Sequence, residues 1–170
     1  MKITIELNKK SIDKAIKDIK KYSSTIDGKI NRFMNELASI GIDTATVTYR
    51  RGLILDQKDI PHVHSKPVWT GEHELAIWAY GESIAFVEFG AGIHYNTPVG
   101  TSPHPKGEEL GMLIGTYGKG QGGGDQWYYR DSSGQKKLTH GQPSVPAMYE
   151  ASKAMKLAIE EKAKEIFYSD

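Results

Sequence analysis

Six histidines and no cysteine bound the reactive chemistry open to this chain of 170 residues. Without thiols there is no disulfide framework, no thiolate nucleophile and no cysteine-ligated zinc, a composition that suits reducing cytosol. His62 and His64 stand two apart, so on a strand both imidazoles would share one face, as paired metal ligands do. No third ligand follows at a matching spacing. Glu72, His73 and Glu74 sit across a turn, and His94, His104 and His140 fall in or beside loops. An edge strand between Pro61 and Pro67 accounts for the same pair as exposed polar side chains, so the sequence predicts no resident metal and no cofactor. Nucleophiles fare no better. Ser102, Ser132, Ser133 and Ser144 are turn or cap candidates, no G-x-S-x-G elbow occurs, and the adjacent carboxylates Glu108 and Glu109 make a poor acid–base pair. Gly118-Lys119-Gly120-Gln121-Gly122-Gly123 formally satisfies G-x-G-x-x-G, but it precedes the strand-like Trp127-Tyr128-Tyr129 instead of a helix, which rejects dinucleotide binding. The expectation is a protein that is not an enzyme, with metal-dependent catalysis at His62 and His64 as one alternative.

Charge supplies a second alternative. Lysine and arginine number 22 against 21 acidic residues, yet residues 1–32 alone carry eight Lys and one Arg against Glu6, Asp13, Asp18 and Asp27. Lys14, Lys17, Lys20 and Lys21 form the outer face of a first helical pattern and could meet nucleic-acid phosphates. The same face is what any amphipathic helix needs for solvation, and no aromatics are interleaved for base stacking.

The elements that would position these residues follow from periodicity. Ile3, Ile5 and Leu7 alternate as in a short strand. Ser11 reads as the N-cap of a first helix bearing Ile12, Ala15, Ile16 and Ile19, and Ile26, Ile30, Phe33, Met34, Leu37 and Ile40 predict a second over about 26–48, which Gly41 does not end. From Gly52 the period becomes twofold. Residues 63–69, 74–80 and 83–89 read as an antiparallel meander with turns at Thr70-Gly71 and Gly81-Glu82. Gln126 to Arg130 and Gln135 to Thr139 form a further hairpin around Asp131-Ser132-Ser133-Gly134. Ser144 would cap a last helix with Pro146 in its first turn and Met148, Ala151, Met155, Ala158, Ile159, Ala163 and Ile166 at helical spacing. The predicted class is α+β in one domain: two N-terminal helices within 1–49, an antiparallel sheet from 60–89 and 126–140, an extended arm over 90–125, and a C-terminal helix at 145–168 packed on the sheet.

Leu, Ile, Val and Phe total 36 residues, about a fifth of the chain, which predicts a modest core. Eleven of 18 glycines and three of seven prolines fall between Gly90 and Gly124, a segment that cannot fill a core and reads as functional. No apolar run approaches the roughly 20 residues of a membrane span, and the Met1–Lys10 start is too short in apolar residues for a secretory signal. Trp127, Tyr128 and Tyr129 beside the glycine segment suit a subunit contact.

Phe86-Val87-Glu88-Phe89-Gly90-Ala91-Gly92-Ile93, followed by Trp127-Tyr128-Tyr129, Thr139-His140-Gly141 and Pro143-Ser144-Val145-Pro146-Ala147-Met148-Tyr149-Glu150-Ala151, resembles the tail-component family of long-tailed bacteriophages. These are the neck or tail-completion proteins of the gene-product-10 type of phage Hong Kong 97. The resemblance covers roughly residues 26–168. Where the family carries P-x-D-T-G-x-L, this chain reads Gly41-Ile42-Asp43-Thr44-Ala45-Thr46. It implies a virion structural protein at the head–tail junction, assembled in the host cytoplasm as a homo-oligomeric ring. Its implied partners are other neck proteins and the tail terminator or tube, with genomic DNA passing through the channel without sequence reading and no membrane. The docking arm would then be residues 90–126, with Phe89, Trp127 and Tyr129 at its base and Gly90 and Gly92 providing positive φ where the chain leaves the sheet.

Overall fold

The structure, a computed structural model, describes residues 6–52, 62–63 (backbone), 67–81, 83–117, 124–131 and 133–168. The chain is α+β, as its periodicity predicts. Helix α1 spans Lys9–Gly52, a short helix α2 spans Ile84–Phe89, and helix α3 spans Ala147–Phe167. Six short strands lie between the long helices: β1 His62–Val63, β2 Val68–Trp69, β3 Leu75–Ala76, β4 Ala79–Tyr80, β5 Trp127–Arg130 and β6 Lys136–Thr139.

The two predicted N-terminal helices are one. Residues 20–25 lack an apolar period but contain no proline, and a helix already nucleated on both sides propagates through polar residues at small cost. Thr25 adapts by donating its hydroxyl to the Lys21 carbonyl at 2.9 Å. The cap is Asn8 and not Ser11: Asn8 Oδ1 accepts the Ser11 backbone N–H at 2.8 Å, while Ser11 Oγ accepts from Glu6 N. At 1.5 Å per residue the 44 residues of α1 extend about 66 Å.

Helix α3 packs antiparallel on α1, not on a sheet. Phe33 meets Phe167 edge-on with centroids 5.8 Å apart, Lys29 Nζ donates to the Phe167 carbonyl, and Arg32, Glu36, Lys162 and Glu165 form a partly exposed ion-pair network between the helices. The axes approach closely because Gly41 sits where a Cβ would run into the Ile77 side chain and meet Met155 Sδ at 2.8 Å. Small residues continue this contact into a core of Ala45, Tyr49, Val87, Val145, Ala147 and Ala151. That core is as modest as the composition implies.

The predicted single sheet is three separate two-stranded ladders among the described residues. β2 pairs with β3 (Val68↔Ala76) around the turn after Thr70, and β1 pairs with β4 (His62↔Tyr80) in a register offset from the inner pair. The predicted third strand at 83–89 is α2 instead. As a strand it would point Val87 and Glu88 to opposite faces, whereas the helical turn lets both be buried, at 0% and 6% exposure, while the Val87 carbonyl still accepts from Val145 N. The strand expected from Ile3, Ile5 and Leu7 falls largely outside the described residues, and Leu7 itself is exposed.

The second hairpin is as predicted, β5 with β6 in the register Trp127↔Thr139 to Arg130↔Lys136. Its turn is organised by Asp131, whose Oδ1 accepts from Ser133 Oγ, Ser133 N and Gln135 N at 2.6, 2.9 and 3.0 Å. Those bonds, that from the Ser133 hydroxyl foremost, with Lys137 Nζ at 3.4 Å, hold the carboxyl down to about 2. A depressed folded-state pKa stabilises the hairpin above the ordinary carboxylate range, and the contribution is lost as pH falls from about 4 towards 2. A carboxyl-carbon titration of Asp131 should therefore show a midpoint near 2, and Asp131→Asn should remove the pH dependence of the β5–β6 cross-strand signals there. A midpoint at the ordinary 3.8 would contradict the turn geometry.

Candidate functional site

The deepest carboxylate among the described residues is Glu88, on the apolar helix α2. It accepts from Tyr49 Oη of α1 at 2.8 Å, from His104 Nε2 at 3.2 Å, and from the backbone N–H groups of Met148 and Tyr149 at 3.1–3.3 Å. The last two are first-turn donors of α3, so Glu88 caps that helix from 60 residues away, where the helix dipole also favours negative charge. Ser144, the predicted cap, instead donates its hydroxyl to the Glu88 carbonyl at 2.8 Å, and Pro146 occupies the N-cap position. The Lys106 N–H donates to His104 Nδ1, which leaves the ring proton on Nε2, facing Glu88. Burial, and then the neighbouring Glu88, push the Tyr49 phenol far above its ordinary range, so its hydroxyl keeps its proton and donates. With every partner a donor, the carboxylate's oxygens are occupied. The chemistry of this centre is structural: it ties α1, α2, α3 and the glycine-rich segment together.

The described residues 90–117 of that segment are not an extended arm. Residues 90–117 fold back on the body: Ala91 and Gln142 form an antiparallel bridge, Ile114 is 1% exposed, and the Thr101 and Ile114 backbones pair at 2.8 Å. Asn96 shares its Nδ2 hydrogens among the carbonyls of Ala91, Gly92 and Gln142 and accepts from Ser144 N. Tyr117 donates to the Gly90 carbonyl while its ring stacks on Phe86 at 5.7 Å, and burial raises its phenol to about 12. Glycine-rich composition misleads because the stretch is stabilised by polar bonds to distant residues, which no local pattern reveals. Residues 118–123, which span the G-x-G-x-x-G lookalike, lie outside the described residues.

Four of the five predicted contact residues mark the base of this segment. Phe89 lies against the His104 ring at 4.5 Å; Gly90 and Gly92 take φ of +84° and +72°, as predicted, though the chain leaves a helix there and not a sheet; and Trp127 covers Gly92. Tyr129 is on the hairpin, 40% exposed and opposite Lys137. The His62 and His64 side chains lie outside the described residues. Sequence reasoning misses the roles of Glu88, Tyr49, His104 and Asn96. A lone carboxylate within Ile84–Phe89 is the available signal, for an acid there must be paired.

Two surfaces expose apolar residues in patterns. Phe167, at the end of α3, meets Phe33 and Lys29, so the stretch of α1 before residue 29 extends past it. There Ile12, Ile16 and Ile19 form a stripe 42–52% exposed, with Tyr22 on its flank and Ala15 buried beside it, while Lys14, Lys17 and Lys21 are exposed on the opposite side and Lys20 next to the stripe, and none of the four lysines enters an ion pair among the described residues. The β5–β6 hairpin exposes Tyr128, Tyr129 and Leu138. Beside its base, His94 Nδ1 and Asp125 Oδ1 are 2.8 Å apart and His140 completes a cluster with them. Among the described residues no helix is long and apolar enough to cross a membrane. Comparison with known families, characterised proteins and solved structures finds no match to this chain.

Proposed function

We propose that this chain is a non-enzymatic virion component joining phage tail to filled head, a ring-forming neck or tail-completion protein around the DNA channel. The observation that carries the reading is the Ile12–Ile16–Ile19 stripe on the part of α1 beyond the end of α3. Three isoleucines at helical spacing gain stability only when covered, and a second copy or a neck partner would cover them. The phage-like motif blocks agree with this role, since their residues Glu88, Gly92 and Trp127 are spent on scaffold contacts, leaving docking to α1 and the hairpin. A heterologous interface that closes into a ring is the expected symmetry.

Deleting residues 100–124 would probe an arm but would also take His104 and Ile114 out of the interior. Changing Ile12, Ile16 and Ile19 together to Asp is cleaner, because all three are exposed and on a helix that tolerates them. In extracts lacking the native chain, the variant should melt as wild type yet join tails to heads at least about tenfold less well, because charge is disfavoured at the centre of an interface. Normal joining overturns the proposal.

The lysine face, with no ion pair among the described residues, supports a second reading, a nucleic-acid-binding module. It predicts the opposite pattern: Lys14, Lys17, Lys20 and Lys21 changed to Gln would abolish salt-dependent DNA binding, while the isoleucine variant would keep its function.

A further inference from the structure

We propose that His94, Asp125 and His140 bind one divalent transition-metal ion of the zinc class. Their ligand atoms lie within 4.8 Å of one another, and His94 Nδ1 and Asp125 Oδ1 are already 2.8 Å apart. Bonds of 2.0–2.1 Å to one ion place neighbouring ligands about 3.0–3.4 Å apart. The first pair thus stands close to the separation of two ligands in one coordination sphere. The third imidazole needs a shift of about 1.5 Å, which side-chain rotation supplies. Its ring is 4.8 Å from that of His94, centroid to centroid. Two imidazoles and a carboxylate are a borderline donor set that suits zinc, cobalt or nickel better than magnesium or calcium, and three protein ligands leave a fourth position for water.

The position gives such an ion a mechanical use. His94 and Asp125 are 31 residues apart and bracket the glycine-rich segment, and His140 follows β6 just before the Ala91–Gln142 bridge. A metal there would clasp both ends of the segment to the hairpin and offset part of the entropy of closing it. Nothing in this depends on the phage reading: the clasp would act in a protein of any function.

The test is zinc titration of the full chain by calorimetry at pH 7.5, with cobalt absorption as a spectroscopic check. One equivalent should bind, with visible cobalt bands indicating coordination numbers below six. His94→Ala or His140→Ala should weaken binding at least about tenfold, and Asp125→Asn should do so with the smallest structural change. A double His62→Ala/His64→Ala variant, removing the other histidine pair, should bind as wild type. Absence of stoichiometric binding overturns the proposal, as does loss of binding only in the His62/His64 variant. Retention in both the His94 and His140 variants, each verified as folded by circular dichroism, overturns it equally.

Discussion

Glu88→Ala should lower the midpoint of thermal unfolding by about 6–20 °C. Hydrogen bonds converge on this carboxylate from α1, from the glycine-rich segment and from the first turn of α3. Removing it strands the Tyr49 hydroxyl, the His104 Nε2–H and two helix-terminal N–H groups, all of which donate to it. Breaking one partner out of a buried charged centre costs about 3–5 kcal/mol. For a chain of this size each kcal/mol shifts the midpoint by about 2–4 °C. Glu88→Gln is the informative companion. It keeps one carbonyl acceptor and the side-chain volume but turns an NH2 group toward donors, so about 1–3 kcal/mol should be lost. Tyr49→Phe should show coupling to Glu88→Ala in a double-mutant cycle, since the phenol's partner is then already gone. If alanine at 88 costs under about 1 kcal/mol, the four elements are held together by something else.

Gly92→Ala should cost about 2–5 kcal/mol in denaturant unfolding and move tryptophan emission. Two effects add. The residue has φ of +72°, where an L side chain costs about 1–2 kcal/mol. Its Cβ would also meet the Trp127 ring at 2.6 Å and the His140 carbonyl at 3.2 Å, and forcing atoms into a filled site costs about 1–3 kcal/mol more. Gly100 separates the two, since it has φ of +83° but no atom within 4 Å of where its Cβ would stand. Gly100→Ala should therefore show the strain alone and leave emission unchanged. Equal costs at the two positions would mean that Trp127 does not rest on Gly92 in solution.

Sequence is most legible where structure is local. The β5–β6 hairpin follows from alternating aromatics around Asp131 and Gly134, and α3 from apolar spacing after a proline, because turns and amphipathic periods are short-range properties. Residues 84–89 are illegible for the same reason: a short, largely apolar run satisfies both periods, and the choice is made by Glu88, whose partners are 16 to 61 residues away. The glycine-rich segment defeats a local reading because its order comes from Asn96 and His104 reaching across the chain. Of the candidate site, Gly90, Gly92 and Trp127 can be placed at the segment's base from motif order. The joining of His94 with Asp125 and His140 cannot, since it depends on how the segment closes.

The unequal lengths of the two long helices also fix a distance. Antiparallel packing accounts for α1 only down to Lys29, so about 20 residues continue past the end of α3, a rod of about 30 Å with no proline in it. A partner that covered the isoleucines, as proposed, would be held at a set spacing from the body. Gly28 lies at the root of that rod, with no atom from beyond its own helix turn within 4 Å of where a Cβ would be. A helix former would fit there and stiffen the rod by about 1 kcal/mol of helix propensity. The residue of lowest helix propensity in the rod therefore stands at the place where it leaves the body.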